Sequence, residues 1–444
     1  MLFSNPWRSV PQDPDDELEL RERSSFLHGF RVNRPQTPKW LQTPYMKYTL
    51  YIYMVFITCV IVSWSMEDEK TTPITQGQQD DYYFHPPIPM RDLTDPPLPP
   101  AYNIVPSTNS YQGLGNGKAP RIVTPLFIPF TRNHKMLEQT VLSYIAAGWP
   151  RSNIIVIDNT GTMDANPKGL LSPNNIFYLN YELLRNRYGV SILQTPTLLS
   201  FAQVQNFMIS TVMSKGWKYY FWSHQDVVVA SYEDRESFKG FYHGILESLS
   251  QLNNTMGPEA GENRWAVAFY AYDWLTLINV DTMVLIGAWD VFIPYYVSDC
   301  DWYERMHMSG LKHIDVDVGL VYDVSTNIDG IEKLLFGSKG GTDGLNSSRF
   351  QELIKAVETV GHLINQPDPP GHGDRGAWHN EVMGGWGEPW TYNPVGLSRA
   401  VDGMSNAGKI IFTAKWGLPD ANCYTFADTR KSQHAAWSFP DSRK

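Results

Sequence analysis

The chain has 444 residues, 42% of them hydrophobic and 13% aromatic, which is ample for one large or two ordinary packed domains and excludes global disorder. A formal net charge of −10 leaves no basic stripe to neutralise phosphates, so a nucleic-acid partner is excluded. The three cysteines are too few and too scattered for a disulfide framework or a cysteine zinc site; Cys59 lies in an apolar run, so Cys300 and Cys423 are the one pair left open.

In chain order, residues 1–47 read as a polar cytosolic tail with no periodic pattern. The run "YTLYIYMVFITCVIVSWSM", Tyr48 to Met66, carries no charge. As a helix it spans about 28 Å, close to the ~30 Å hydrocarbon layer of a bilayer. A polar segment of more than forty residues precedes it, too long for the n-region of a cleaved signal peptide. Arg31, Arg34, Lys39 and Lys47 lie before the run and Glu67-Asp68-Glu69 directly after it. That asymmetry predicts a single-pass type II membrane protein with the C-terminal bulk across the membrane.

Residues 67–119 are rich in proline ("HPPIPM", "DPPLPPAY"), which fixes φ and removes ladder donors, so an extended, disordered stem is expected. One globular domain is expected over 120–430, followed by a short tail over 431–444. Two glycosylation sequons, Asn253-Asn254-Thr255 and Asn346-Ser347-Ser348, read as polar loops.

Within the domain, "RIVTPLFIPF" predicts a strand, "HKMLEQTVLSYIAAG" a helix stopped by Gly148, and "NIIVIDN" a second strand. Strand, helix and strand within about forty residues make a βαβ unit and hence a parallel sheet. "SFAQVQNFMISTVMSKG" is a further helix, ending at Gly216, that feeds the strand "WKYYFWSHQD". "WAVAFYAYDWLTLINV" supplies more strand and "SDCDWYERMHMSG" a short helix. In an open α/β sheet, ligands bind beyond the carboxyl ends of the strands, where Asp158 and Asp226 both fall.

Four segments, "LFIPFTRN", "IIVIDNTGTMD", "YYFWSHQDVVV" and "LIGAWDVFIPYYVSDCDWYERMHMSG", occur in that order. Together they resemble the nucleotide-sugar glycosyltransferases of GT-A fold, most closely the inverting family 2, over roughly residues 121–325. The resemblance implies a Rossmann-type, mixed but mainly parallel sheet flanked by helices, and a hexosyltransferase in the Golgi membrane, with the endoplasmic reticulum as the other possibility. It implies a nucleotide-sugar donor, a glycan or glycoprotein acceptor, and Mn2+ or Mg2+ on the donor diphosphate. Asp226 would hold that cation, with His224 standing where the family has its first acid and His379 as a further ligand. Thr131, Arg132, Asp158, Trp289 and Asp290 would contact the donor. Asp299 would be the general base and Asp301 would support it or bind acceptor hydroxyls.

Other readings of the same residues stand beside these. Asp226 and the Asp158-Asn159 pair also suit turns, and Ser298 suits a helix N-cap whose first-turn acids answer the helix dipole. A tethered glycan-binding protein without turnover is the rival from another class. A nucleotidyltransferase would need a lysine-rich glycine signature near the first strand, which is missing here.

Overall fold

The computed structural model describes residues 83–88, 98–99, 101–103, 123–235, 238–259, 264–337, 345–364, 388 and 394–418. All of these belong to one compact unit, Gln76–Lys444. The expected cytosolic tail, the apolar run at 48–66, the tail at 431–444 and His379 lie outside the described residues. Among the described residues no helix is long and apolar enough to cross a membrane.

The centre is an eight-stranded sheet in the order β1-β4-β3-β2-β5-β8-β7-β9. Its strands are β1 (Phe84–His85), β2 (Leu126–Phe130), β3 (Ile154–Asp158), β4 (Ser191–Gln194), β5 (Tyr219–Ser223), β7 (Trp265–Phe269), β8 (Leu275–Asn279) and β9 (Lys312–Asp315). β4, β3, β2 and β5 run parallel, β8 runs antiparallel to both β5 and β7, and β7 and β9 are parallel. The fold is thus mixed α/β with a mainly parallel sheet, as the βαβ pattern requires.

Side-chain alternation explains the layers. Leu126, Ile128 and Phe130 of β2 point to a core shared with α1 (His134–Ala146) and α3 (Phe241–Met256), whereas Phe127 points to the opposite core. That second core holds α2 (Phe201–Lys215) and α5 (Ser298–Met308). α2 begins in a capping box, with Ser200 and Gln203 bonding each other's backbone, and ends at Gly216 with φ +65°. "WAVAFYAYDWLTLINV" is not one strand but two, β7 and β8, folded back through residues 270–274.

A second sheet, in the order β11-β10-β6, joins β6 (Val227–Ala230), β10 (Leu320–Val324) and β11 (Gly361–Leu363). β5 and β6 belong to different sheets and are separated only by His224-Gln225-Asp226. The remaining helices are α4 (Met283–Ile286), α6 (Ile331–Leu335), α7 (Ser348–Val360) and α8 (Pro394–Trp416).

The proline-rich stretch contributes to this unit. Phe84–His85 extends the sheet edge against β4, and Tyr102 is 1% exposed, with its hydroxyl donating to Glu233 Oε1 at 2.6 Å. The first sequon is not in a loop: Asn253 lies in α3 and accepts from the Tyr219 hydroxyl. Asn346 lies just before α7, its backbone N–H donating to Glu233.

Candidate functional site

The turn His224-Gln225-Asp226 sits where the chain leaves one sheet for the other. Gln225 ties it to the loop after β2: its Oε1 accepts from the Thr131 N–H at 3.3 Å, and its Nε2 donates to the Arg132 carbonyl at 2.7 Å. Its own carbonyl accepts from the Thr140 hydroxyl of α1. Gln225 therefore fixes Thr131 and Arg132 beside the turn. Sequence reasoning missed it, because a glutamine between two titratable residues gives no chemical signal of its own. The Arg132 side chain is half-buried; loss of water lowers its pKa, opposed by the neighbouring Tyr295.

Asp158, at the end of β3, is 1% exposed and engaged within the protein. Oδ1 accepts from the Thr160 N–H and hydroxyl, and Oδ2 from the Tyr181 hydroxyl at 2.8 Å and from Asn166. Burial raises its pKa and these donors oppose the rise. The turn-forming arrangement is the one observed, and a nucleoside contact would require the ligand to displace Tyr181 or Asn166.

The motif acids before and within α5 divide by role. Asp301 is 0% exposed; its Oδ2 accepts from Arg305 Nε at 3.0 Å, and its Oδ1 from Trp416 Nε1 at 2.9 Å and Lys415 Nζ at 2.6 Å. Lys415 also reaches Asp290 Oδ2 at 2.8 Å. Burial pushes the Asp290 carboxyl up, but Lys415 and the Phe292 N–H hold it below the usual range. Arg305 goes on to donate to the Ile286 and Ala288 carbonyls, and Trp302 Nε1 to Gly287 O. Trp289 is 3% exposed, stacked on Trp302 at 5.2 Å, with its backbone gripped on both sides by Asn206 of α2. The spacing of Asp301, Trp302 and Arg305 therefore places one face of α5 on the Gly287–Asp290 turn. Trp289, Asp290 and Asp301 hold that turn together; Trp289 and Asp301 are buried, whereas the Asp290 side chain keeps 24% of its surface exposed.

Asp299 is different. It is half-buried, and its carboxylate accepts from the Tyr272 hydroxyl at 3.0 Å. Tyr272 belongs to the β7–β8 connection, and two residues later the Trp274 carbonyl accepts from the His224 N–H at 3.1 Å. One five-residue connection thus holds both the strand-end turn and the half-exposed acid of α5. Ser298 is not the N-cap; it is the first residue of α5, and its hydroxyl bonds Tyr295 O. Val297 occupies the cap with φ 65°, a conformation that a β-branched residue adopts only under strain. Asn133 and Tyr272 also have positive φ (65° and 50°), so three loops around this site carry unusual backbone.

The donors present can be tested against the expected divalent cation. Such an ion on a diphosphate needs one or two carboxylates, and at bonds of ~2.1 Å its cis donors stand ~3 Å apart. Here His224 Nδ1 is 3.8 Å from Asp226 Oδ1, the His224 ring stacks on Trp222 (25° between planes), and His224 Nε2 is buried without a hydrogen-bond partner. Among the described residues no group of three His, Cys, Asp or Glu side chains converges. Among the described residues His224 and Asp226 are thus two donors that do not yet converge, and not a complete protein ligand set. Cys300 is disulfide-bonded, and Cys423 lies outside the described residues.

No protein-family model and no curated protein matches the chain. Solved structures to which it is similar include a cytidylyltransferase from Leptospira borgpetersenii (11% identity, 54% of this chain and 94% of that one, TM-score 0.29). A second, from Desulfovibrio desulfuricans, is described as a nucleotide-diphospho-sugar transferase (11% identity, 54% and 96%, TM-score 0.28). A third is a mannosyltransferase from Pyrobaculum calidifontis in complex with GDP-mannose and Mn2+ (10% identity, 76% and 94%, TM-score 0.30).

Proposed function

We propose that this protein is a GT-A-type glycosyltransferase that moves a sugar from a nucleotide-sugar donor to a hydroxyl of a glycan or glycoprotein, with inversion. It would be anchored by Tyr48–Met66 as a type II protein of the Golgi membrane. The observation that carries the reading is the shared β7–β8 connection, which holds the turn ending β5 and the half-exposed Asp299 on one short scaffold. A strand-end turn is where an α/β sheet receives a nucleotide, and a half-exposed carboxylate across from it can take a proton from an acceptor hydroxyl.

In this reaction the acceptor oxygen attacks the anomeric carbon, and the bond from that carbon to the diphosphate breaks with its electron pair on the phosphate oxygen. The hydroxyl proton passes to Asp299. Asp290, Asp301, Trp289 and Trp302 act at one remove, by fixing the segment that leads into α5. The test is nucleoside diphosphate release from a panel of donors, with wild type and Asp299→Asn. Turnover in the first and its loss in the second are expected. Nucleotide binding with no turnover of any donor would favour a glycan-binding protein of the same fold.

A further inference from the structure

Transfer from a nucleotide-sugar concentrates negative charge on the departing diphosphate, and something must answer it. The resemblance leads one to expect a cation held by Asp226, His224 and His379, but His224 and Asp226 do not converge, and the donor set is incomplete among the described residues. Lys415 is shared between Asp290 and Asp301, and Arg305 between Asp301 and two carbonyls. Arg187, Arg235 and Arg264 pair with carboxylates elsewhere.

Arg132 is the exception at the site. It lies two residues after β2, its carbonyl is held at 2.7 Å by the middle residue of the His224–Asp226 turn, and Tyr295, in the segment that leads into α5, is near enough to favour its charge. Among the described residues no carboxylate pairs with its guanidinium. A half-buried cation without a counter-ion loses hydration and gains nothing in return, unless an anion arrives. The planar guanidinium fork matches two phosphate oxygens, which a lysine does not.

We propose that Arg132 is the counter-charge for the donor diphosphate in place of a divalent cation, so that donor binding and transfer in this protein need no metal. This rests on the glycosyltransferase reading above. As the bond to the anomeric carbon breaks, the electron pair settles on a phosphate oxygen and the Arg132 N–H groups donate to the diphosphate; no other co-reactant is needed. Asp226 is then not a ligand; its backbone carbonyl, which accepts from the Val324 N–H at 2.8 Å, joins the turn to β10.

The experiment is calorimetric titration of the purified full chain with UDP, GDP, ADP and CDP, each in EDTA and in Mn2+. Wild type, Arg132→Lys, Arg132→Met and Asp226→Asn are compared, with folding checked by circular dichroism. One of the nucleotides should bind in EDTA, with affinity changed less than about threefold by Mn2+. Arg132→Met should weaken it on the order of 10- to 100-fold, as expected for loss of hydrogen bonds to a charged group, and Arg132→Lys by less. Asp226→Asn should bind as well as wild type or better, because it removes a negative charge. Binding that needs Mn2+ and vanishes in Asp226→Asn would overturn the proposal. So would equal losses in both Arg132 variants, no loss in Arg132→Met, or no nucleotide bound in EDTA. If binding follows the expected pattern and no donor is turned over, the transferase reading falls while the role of Arg132 stands.

Discussion

Lys415, near the end of the last described helix, places its Nζ 2.6 Å from Oδ1 of Asp301, a carboxylate with no solvent exposure. The same ammonium holds Asp290, so α8 is locked to both segments of the motif that leads into Asp299. α8 packs closely here: a Cβ at Gly408 would lie 3.0 Å from Pro294 Cδ. Replacing Lys415 with Met leaves Asp301 short of one cation in a dry environment. A loss of about 3 kcal/mol is expected, read as a lower denaturant midpoint. Asp301→Asn should cost a similar amount and lower kcat through misplacement of α5. An Asp301→Asn variant with unchanged stability would show that the buried ion network does not hold the site together.

Asp299 has a partly exposed carboxylate, and the Tyr272 hydroxyl donates to it. Asp299→Asn keeps the shape and removes the base, so kcat should fall on the order of 10²- to 10⁴-fold with the fold intact. Tyr272→Phe removes only the orienting hydrogen bond and should lower kcat about 5- to 30-fold. Steady-state rates with a donor that the panel shows to be turned over decide this. Equal activity of Asp299→Asn and wild type would remove Asp299 from the chemistry.

The parts of this fold that follow local rules were legible in the sequence. The 3.6-residue period of α1 and α2, the Ser200 and Gly216 boundaries, and the apolar runs of β2, β3 and β5 all depend on neighbours a few residues away. The strand-end positions of Asp158 and Asp226 followed from them. What was not legible depends on partners far along the chain. Asp301 looked like a first-turn acid with a catalytic option, and only Lys415 and Trp416, more than a hundred residues later, show it to be an internal counter-ion. Trp289 was expected to contact the donor, and only Trp302, stacked on it at 5.2 Å, shows it packed within the protein. Tyr102 lay in a proline-rich stretch whose composition predicts extension, and composition cannot report one tyrosine docking into a distant core.

That docking has a direct consequence. Tyr102 packs in the main core, donates to the buried Glu233, and its N–H bonds the Leu335 carbonyl. Tyr102→Ala should destabilise the protein by about 3–5 kcal/mol, in the range for buried aromatic truncation. A chain beginning at residue 104 should show a comparable loss relative to one beginning at residue 76. Equal unfolding midpoints for the two shortened chains would mean that residues 83–103 add nothing to the fold.

Glu138 supplies a pH signature of stability. It lies on α1, and burial raises its pKa to about 7, with Lys135 and Arg187 pulling it down and Glu332 pushing it up. Arg187 is committed to Glu332, so Glu138 has no full-strength counter-ion. A carboxyl whose folded pKa lies above its unfolded value binds more protons folded than unfolded between about pH 4.5 and about 7. Stability must therefore fall as pH rises through that window, by about 2–3 kcal/mol for this group alone. Glu138→Gln, neutral at every pH, should flatten this part of the curve and be the more stable protein at pH 8. The measurement is the denaturation midpoint of both proteins at pH 5, 6, 7 and 8. Parallel curves for wild type and variant would show that Glu138 titrates normally in the folded chain.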